Sequence, residues 1–516
     1  MRTPPSPIPV PEAVSRSVLH ALQGRKMLWR FLWEFCRSVE SAGGSAYLVG
    51  GIVRDLIEGR PGNDIDLMVT GIGFEALGKL VRALPRSELG IRRVVAAGKQ
   101  FAVYKVSTAW TDAPVDVALA RSEHSTGPGH RQFEVRTRGV DAREDASRRD
   151  FTINSLMFFF RGKGRRLGGE VIDFFGGMED LRRRRIRGVG NPQARIREDP
   201  LRMLRAIRQK NERPGTVIER RTWQAIRSEA KELIGTISGE RLVGELAKSL
   251  AANPSATVSD LHRAGILPEL IPGIPDRGTR ILSRIRKRYA LLERSLGRPL
   301  PETVLFANLL VDVARDETRV LLREAGEDSR RWRRDASRGT FGRNLFRLPR
   351  TEALARRLHL PRVRKVVQMV EDLSRLSHLR LLRNPLARIE AVFGRWESPD
   401  HLRALYAASR RAASETVVDF RPVLETARMR PNLLSGDDIL ALGVPAGPLV
   451  ESILEGVREA TLTGRISGRG EAKGLAVSLL EKERLPARDH RARESRRRAS
   501  SSPAKARKRT KSPGIR

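Results

Sequence analysis

The stretch AYLVGGIVRDLIEGRPGNDIDLMVT, residues 46–70, constrains the fold of this chain more than any other. Ala46-Tyr47-Leu48-Val49 is a short apolar run with the length and composition of a buried strand. Gly50 and Gly51 follow, and only glycine lets the backbone turn sharply and approach a ligand this closely. Ile52 to Glu58 reads as a helix that starts on those glycines, so its free N–H groups would face an anion, with Arg54 adding a fixed positive charge. A second strand is expected over Asp64 to Thr70. Residues two apart on a strand share a face, which would put Asp64 and Asp66 side by side. A glycine turn for a triphosphate beside two carboxylates has the chemistry of a Mg²⁺ site whose shell is completed by phosphate oxygens. Two such ions can clamp the attacking and leaving oxygens of a phosphoryl displacement. Each motif alone matches by chance in many chains. Together in one strand–turn–helix–strand unit they are far more specific.

Downstream, three short β-branched strands are expected at Arg92–Ala97, Phe101–Thr108 and Val115–Leu119. Alternation places Asp116 on the face opposite Val115 and Val117, as a third carboxylate able to orient or deprotonate an attacking hydroxyl. The polar, Gly-containing segment from Ser122 to Val140 reads as a mobile loop. It leads to SRRDFTINSLMFFF. Here Arg149 can grip phosphate, Asp150 can accept from a ribose hydroxyl, and Asn154 offers both a donor and an acceptor. From Ile186 to about residue 480 the apolar spacing is helical. REDPLRMLRAIR reads as one amphipathic helix with Glu198 and Asp199 in its first turn. Asp199 and Arg202, three apart on one side, could read the pairing edge of a base without a nucleic-acid template.

Composition narrows the partner. The 516 residues include 98 Lys and Arg against 60 Asp and Glu, a formal charge of +38 and a pI near 11.4. That imbalance favours a polyanion such as RNA. Cys36 is the single cysteine, which excludes an intrachain disulfide and fits a reducing cytoplasm. No apolar run reaches the roughly eighteen residues of a membrane span, so no membrane association is expected. The residues past 484 are basic, serine-rich and nearly devoid of apolar side chains, as expected of a disordered RNA-binding tail. Protein partners cannot be read from the chain.

These motifs, in this order, resemble the class II nucleotidyltransferases: the bacterial tRNA CCA-adding enzymes and poly(A) polymerases. The pattern LVGGxVRD…DxD stands at Leu48-Val49-Gly50-Gly51, Val53-Arg54-Asp55, Asp64 and Asp66. RRDFTIN stands at Arg148 to Asn154, and EDxxR at Glu198, Asp199 and Arg202. The resemblance implies an α+β chain, with a small mixed-sheet nucleotidyltransferase head followed by an all-α neck, body and tail. We draw these as a disordered proline-rich arm (1–25), the head (26–185), neck (186–275), body (276–430), tail (431–484) and basic terminal segment (485–516), with helical spacing already beginning at Ser15. The resemblance further implies two Mg²⁺ ions on Asp64 and Asp66, with Asp116 in the place of an acidic strand residue. It implies a nucleotide-binding set of Gly50, Gly51, Arg54, Asp55, Arg149, Asp150, Asn154, Asp199, Arg202 and Arg205. The expected activity is template-independent addition of C or A residues, from CTP and ATP, to an RNA 3′ end, most simply that of tRNA. The alternatives are poly(A) addition and a catalytically inactive RNA-binding protein. One departure from the family stands at Gln209, where many relatives carry an aromatic residue.

Overall fold

The computed structural model describes residues 6–62, 64–97, 102–125, 133–163, 166–272, 279–327, 347–360, 362–377, 399–413, 432–462 and 465–481. The arginine-dense segment around 330–346 and the basic segment 485–516 lie outside them.

Helices α1 (Glu12–Gln23) and α2 (Lys26–Ser41) open the chain. They correct the disordered arm expected over 1–25. Ser15, Val18 and Leu22 are buried on one face of α1 at the three- and four-residue spacing that aligns side chains along a helix. The helical spacing expected from Ser15 is therefore an ordered helix, and the arm does not extend to residue 25.

The head is a seven-stranded mixed sheet. Its strands are β1 (Ser45–Val49), β2 (Asp66–Thr70), β3 (Ile91–Ala97), β4 (Val103–Thr108), β5 (Val115–Leu119), β8 (Met157–Lys163) and β9 (Arg166–Ile172), while β6 (Ser122–Ser125) and β7 (Phe133–Arg136) pair separately. The spatial order is β3-β4-β5-β2-β1-β8-β9. Only β2 and β5 run parallel, in the register Asp66↔Asp116. The central strands are apolar because helices or neighbouring strands cover them: Leu48, Leu67, Met68, Val69 and Val117 are almost fully buried.

Two expectations change here. Strand β2 begins at Asp66, so Asp64 sits on the bend that leads into it rather than on the strand. The segment expected as a loop from Ser122 forms a hairpin, with Ser122 opposite Arg136 and Ser125 opposite Phe133. Backbone pairing holds it without the apolar alternation that would announce a strand.

Helix α3 (Gly51–Ile57) follows the glycine turn, and α4 (Phe74–Ala83) connects β2 to β3. Helix α5 (Ala142–Ser147) is started by a capping box in which Asp141 and Glu144 each satisfy the other's backbone N–H. Helix α6 (Gly177–Arg182) is anchored by Asp173, whose carboxylate accepts from the backbone N–H groups of Phe175, Gly176, Gly177 and Met178. Beyond it come α7 (Pro192–Glu198), α8 (Leu201–Asn211), α9 (Arg220–Ser228), α10 (Leu233–Thr236), α11 (Gly239–Ala252) and α12 (Pro254–Arg263). The single helix expected over Arg197–Arg208 is therefore two. Pro200 cannot supply a backbone N–H to continue α7, and Asp199 adopts extended backbone at the junction, φ −141° and ψ 95°.

Contacts divide the chain into two units, Met1–Val313 with Thr351–Val366, and Ala314–Arg350 with Val367–Arg516. The described part of the second unit is helical. Its last portion packs Gly436–Leu440, Pro448–Leu462 and a helix over 469–481 around Leu434, Ile439, Ile453, Val457, Ala472 and Leu480. Among the described residues, no helix is long and apolar enough to cross a membrane.

Candidate active site

The glycine turn works by close approach. Gly50 has φ +83°, and a Cβ built on it would lie 3.0 Å from Asp66 Oδ2 and 3.6 Å from an Arg149 guanidinium nitrogen. An L-residue there would be strained by its own backbone and would push on an acid and a base of the site. Gly50, Gly51, Asp64, Asp66, Arg149, Asp150, Asn154, Asp199, Arg202 and Arg205 all line one cavity of about 700 Å³, together with Arg54 and Asp55. Residues separated by more than 130 positions in the sequence thus share one cleft.

Asp66 is the electrostatic centre of the acidic end. Burial raises its carboxyl, Arg149 opposes this, and the neighbouring Asp116 and Asp64 carboxylates raise it further, to about 6. Crowded carboxylates in poor solvation form a site that a divalent cation would relieve. Among the described residues, no group of three acidic, His or Cys side chains is spaced to enclose an ion. Asp116 lies opposite Asp66 across the β2–β5 ladder, but Lys105 Nζ is 2.8 Å from both its oxygens.

Arg149 owes its pose to Asp145, which the sequence reading did not single out. Asp145 is fully buried and accepts from Arg149 at 2.9 Å and from Arg148 at 2.6 Å. The signal was local: an acid three and four positions ahead of two arginines.

Arg54 is less available than a phosphate grip requires. Nε and Nη2 donate to Asp55 Oδ1 at 2.9 Å. Nη1 donates to Asn154 Oδ1 at 2.5 Å and to Gln209 Oε1 at 3.4 Å. Asp55 also accepts from Arg60. Asp150 is 9 % exposed and accepts from Asn154 Nδ2 and the Phe151 N–H on one oxygen, and from Arg205 Nε on the other, each at 2.8 Å. Burial alone would raise its carboxyl. The Arg205 charge and these donors outweigh burial and hold it well below the usual range.

At the other end of the cleft, Asp199 Oδ1 accepts from the Leu201 N–H at 3.3 Å, and Oδ2 accepts from Arg241 at 2.8 Å. Arg202 donates to the backbone carbonyls of Arg195 and Arg148 and to Glu198. The pair therefore straddles the α7–α8 junction rather than projecting side by side from one helix. Each member is oriented by partners outside the EDxxR pattern. Arg241, Glu245 and Lys248 also line the cavity from α11, and nothing in their own sequence marked them.

Residues 46–187 match the poly A polymerase head domain, and residues 217–277 match the probable RNA and SrmB- binding site of polymerase A. The chain is 32% identical over 293 residues to a CCA-adding enzyme of Geobacillus thermodenitrificans, covering 54% of this chain and 67% of that one. It is 30% identical over 440 residues to a multifunctional CCA protein of Pseudomonas paraeruginosa, covering 80% and 93%. A solved CCA-adding enzyme of Thermotoga maritima complexed with tRNA shares the fold, with a TM-score of 0.59 at 20% identity over 90% of this chain and 98% of that one. The chain belongs to the class II nucleotidyltransferase family, built on the poly(A) polymerase head, in which the CCA-adding enzymes are found.

Proposed function

We propose that this protein extends the 3′ end of tRNA with C and A residues, taking the nucleotides from CTP and ATP without a nucleic-acid template. The observation that carries the reading is that one cleft holds both an acid pair beside a glycine turn and a distant Asp–Arg couple. The first suits nucleotidyl transfer and the second suits base selection. Similarity to CCA-adding enzymes over most of two relatives' lengths favours tRNA over general poly(A) addition.

In this reading the RNA's terminal hydroxyl attacks the α-phosphorus of the bound nucleotide, the new P–O bond forms, and pyrophosphate leaves. The Gly50-Gly51 turn brings the N-terminus of α3 against the triphosphate. Arg149, braced by Asp145, neutralises charge on the transferring phosphate. Asp64 and Asp66 would hold Mg²⁺, which when bound supplies Lewis acidity and charge neutralisation at the attacking and leaving oxygens. Asp116, held by Lys105, supports the approaching hydroxyl from the neighbouring strand. Arg54 acts by locking Asn154 and Asp55 in place. Asp150 and Asn154 flank the sugar. Asp199 and Arg202 offer an acceptor and a donor fork to the base edge. The single cysteine and an RNA substrate support a cytoplasmic location.

Base selection provides the test. Asp199→Ala should leave incorporation measurable while lowering the preference for CTP and ATP over UTP and GTP by about 10- to 100-fold, the range of one or two lost hydrogen bonds to a base edge. Nucleotide incorporation assayed one triphosphate at a time measures this. An unchanged preference would remove Asp199 from base selection.

A further inference from the structure

Gln209 is a buried polar residue on the cavity wall whose hydrogen bonds leave one end of its amide free. The side chain is 1% exposed and lines the nucleotide cavity. Its orientation follows from its neighbours in three steps. Arg54 can only donate, so the Asn154 atom that receives it is Oδ1. The Asn154 amide nitrogen then faces outward, donating to Asp150 at 2.8 Å and to Gln209 at 3.2 Å. Arg54 also donates to the same Gln209 atom at 3.4 Å. Two donors converge on one end of the Gln209 amide, so that end is Oε1. The other end, the Nε2 amide with two N–H donors, has no hydrogen-bond partner among the described residues. Gln209 lines the cavity, so this free donor is open to an acceptor that a bound ligand supplies.

The position narrows the acceptor. Arg202 and Gln209 are separated by seven residues of α8, about 10 Å along the helix axis. Asp199 and Arg202 mark the base end, and the Gly50 turn with Asp64 and Asp66 marks the phosphate end. Gln209 is joined through Asn154 to Asp150, and those two residues flank the sugar in the proposed function.

We infer that Gln209 donates a hydrogen bond from Nε2 to a ribose hydroxyl of the incoming nucleotide and so helps this enzyme prefer ribonucleotides to deoxynucleotides. The inference rests on the nucleotidyl-transfer reading above. An aromatic side chain at this position has no such donor, so this contact is a property of this chain rather than of its motif.

The test compares wild type with Gln209→Met, which keeps the length of the side chain and removes both polar ends, and with Gln209→Phe, which fills the site with an apolar ring. Steady-state kcat/KM is measured with CTP, 2′-deoxy-CTP and 3′-deoxy-CTP on one RNA acceptor, alongside direct binding of the three nucleotides. Loss of one hydrogen bond corresponds to about a tenfold change. The expected result is that the preference for CTP over one deoxy analogue falls about tenfold in both variants. Most of the change should sit in KM and binding rather than in kcat. A merely structural role would lower kcat for all three nucleotides and leave their ratios alone. Ratios unchanged in both variants would overturn the inference while the wild type still extends RNA. A wild type that incorporates none of the three would remove the reading beneath it as well.

Discussion

Asp66→Asn is expected to lower nucleotide incorporation by about 10³-fold while making the metal-free protein more stable. The two effects share one cause. Asp66 is half-buried beside Asp116 and Asp64; burial and these acids outweigh Arg149 and Lys105, so its carboxyl is raised from 3.8 to about 6. A folded-state value above the unfolded one means that the ionised form costs stability. That cost is fully present above about pH 6 and disappears as the pH falls through 6 toward 4. At about 1.4 kcal/mol per unit, removing the charge at neutral pH should stabilise the metal-free protein by about 2–3 kcal/mol. The same charge would hold a divalent cation, and its loss would remove the charge neutralisation that such an ion supplies at the attacking and leaving oxygens. Thermal unfolding in EDTA should therefore rank the asparagine variant above wild type, and added Mg²⁺ should narrow the gap by stabilising wild type more. An asparagine variant that is less stable in EDTA, or that still extends RNA, would contradict the placement of the acid pair.

Asp150→Ala is expected to act in the opposite direction on stability, lowering it by about 1–3 kcal/mol, because it leaves the half-buried Arg205 and the Asn154 and Phe151 donors without their acceptor. Asp150 receives Arg205, Asn154 and the Phe151 N–H in a buried setting. Glu245 at 3.4 Å from Arg205 compensates only in part. The pH dependence follows the usual sign for a depressed acid. The contribution of Asp150 is present above its unfolded value of 3.8 and fades as the pH drops below it toward the lower folded value. Urea unfolding across pH 3 to 7 should show the variant losing stability at neutral pH and converging on wild type in acid. Because Asp150 also fixes Asn154, and through it Gln209, nucleotide affinity should fall with stability. Unchanged unfolding at pH 7 would mean that Arg205 and Asn154 find other partners.

The features of this site legible in the sequence are the locally encoded ones. The turn at Gly50, the apolar run of β1 and the acids at 64 and 66 lie within 25 residues and obey spacing rules that need no tertiary information. Asp116 was readable as a polar-face strand residue. That it stands beside Asp66 depends on the parallel pairing of β2 with β5, a long-range choice that no local pattern fixes. Pro200 announces the break between α7 and α8, but the apolar stripe running through it reads as continuous, so the single helix was the wrong inference. The hairpin after Ser122 escaped because backbone pairing joins polar strands that lack apolar alternation. Arg241 and Glu245 escaped for a different reason. Each is an ordinary charged residue on an amphipathic helix, and only the packing of α11 against α8 turns them toward Asp199 and Arg205. Gln209 shows the reverse case: an oddity in the sequence whose meaning lies entirely in the donors that surround it.

The most direct measurement offers the purified protein a tRNA lacking its terminal trinucleotide, and separately an unrelated RNA, with CTP and ATP supplied alone and together, followed by sequencing of the extended ends. The proposed function predicts C or A residues added to the tRNA in a short defined run, with little extension of the unrelated RNA. Long adenosine tracts on both RNAs, or no extension of either, would contradict it.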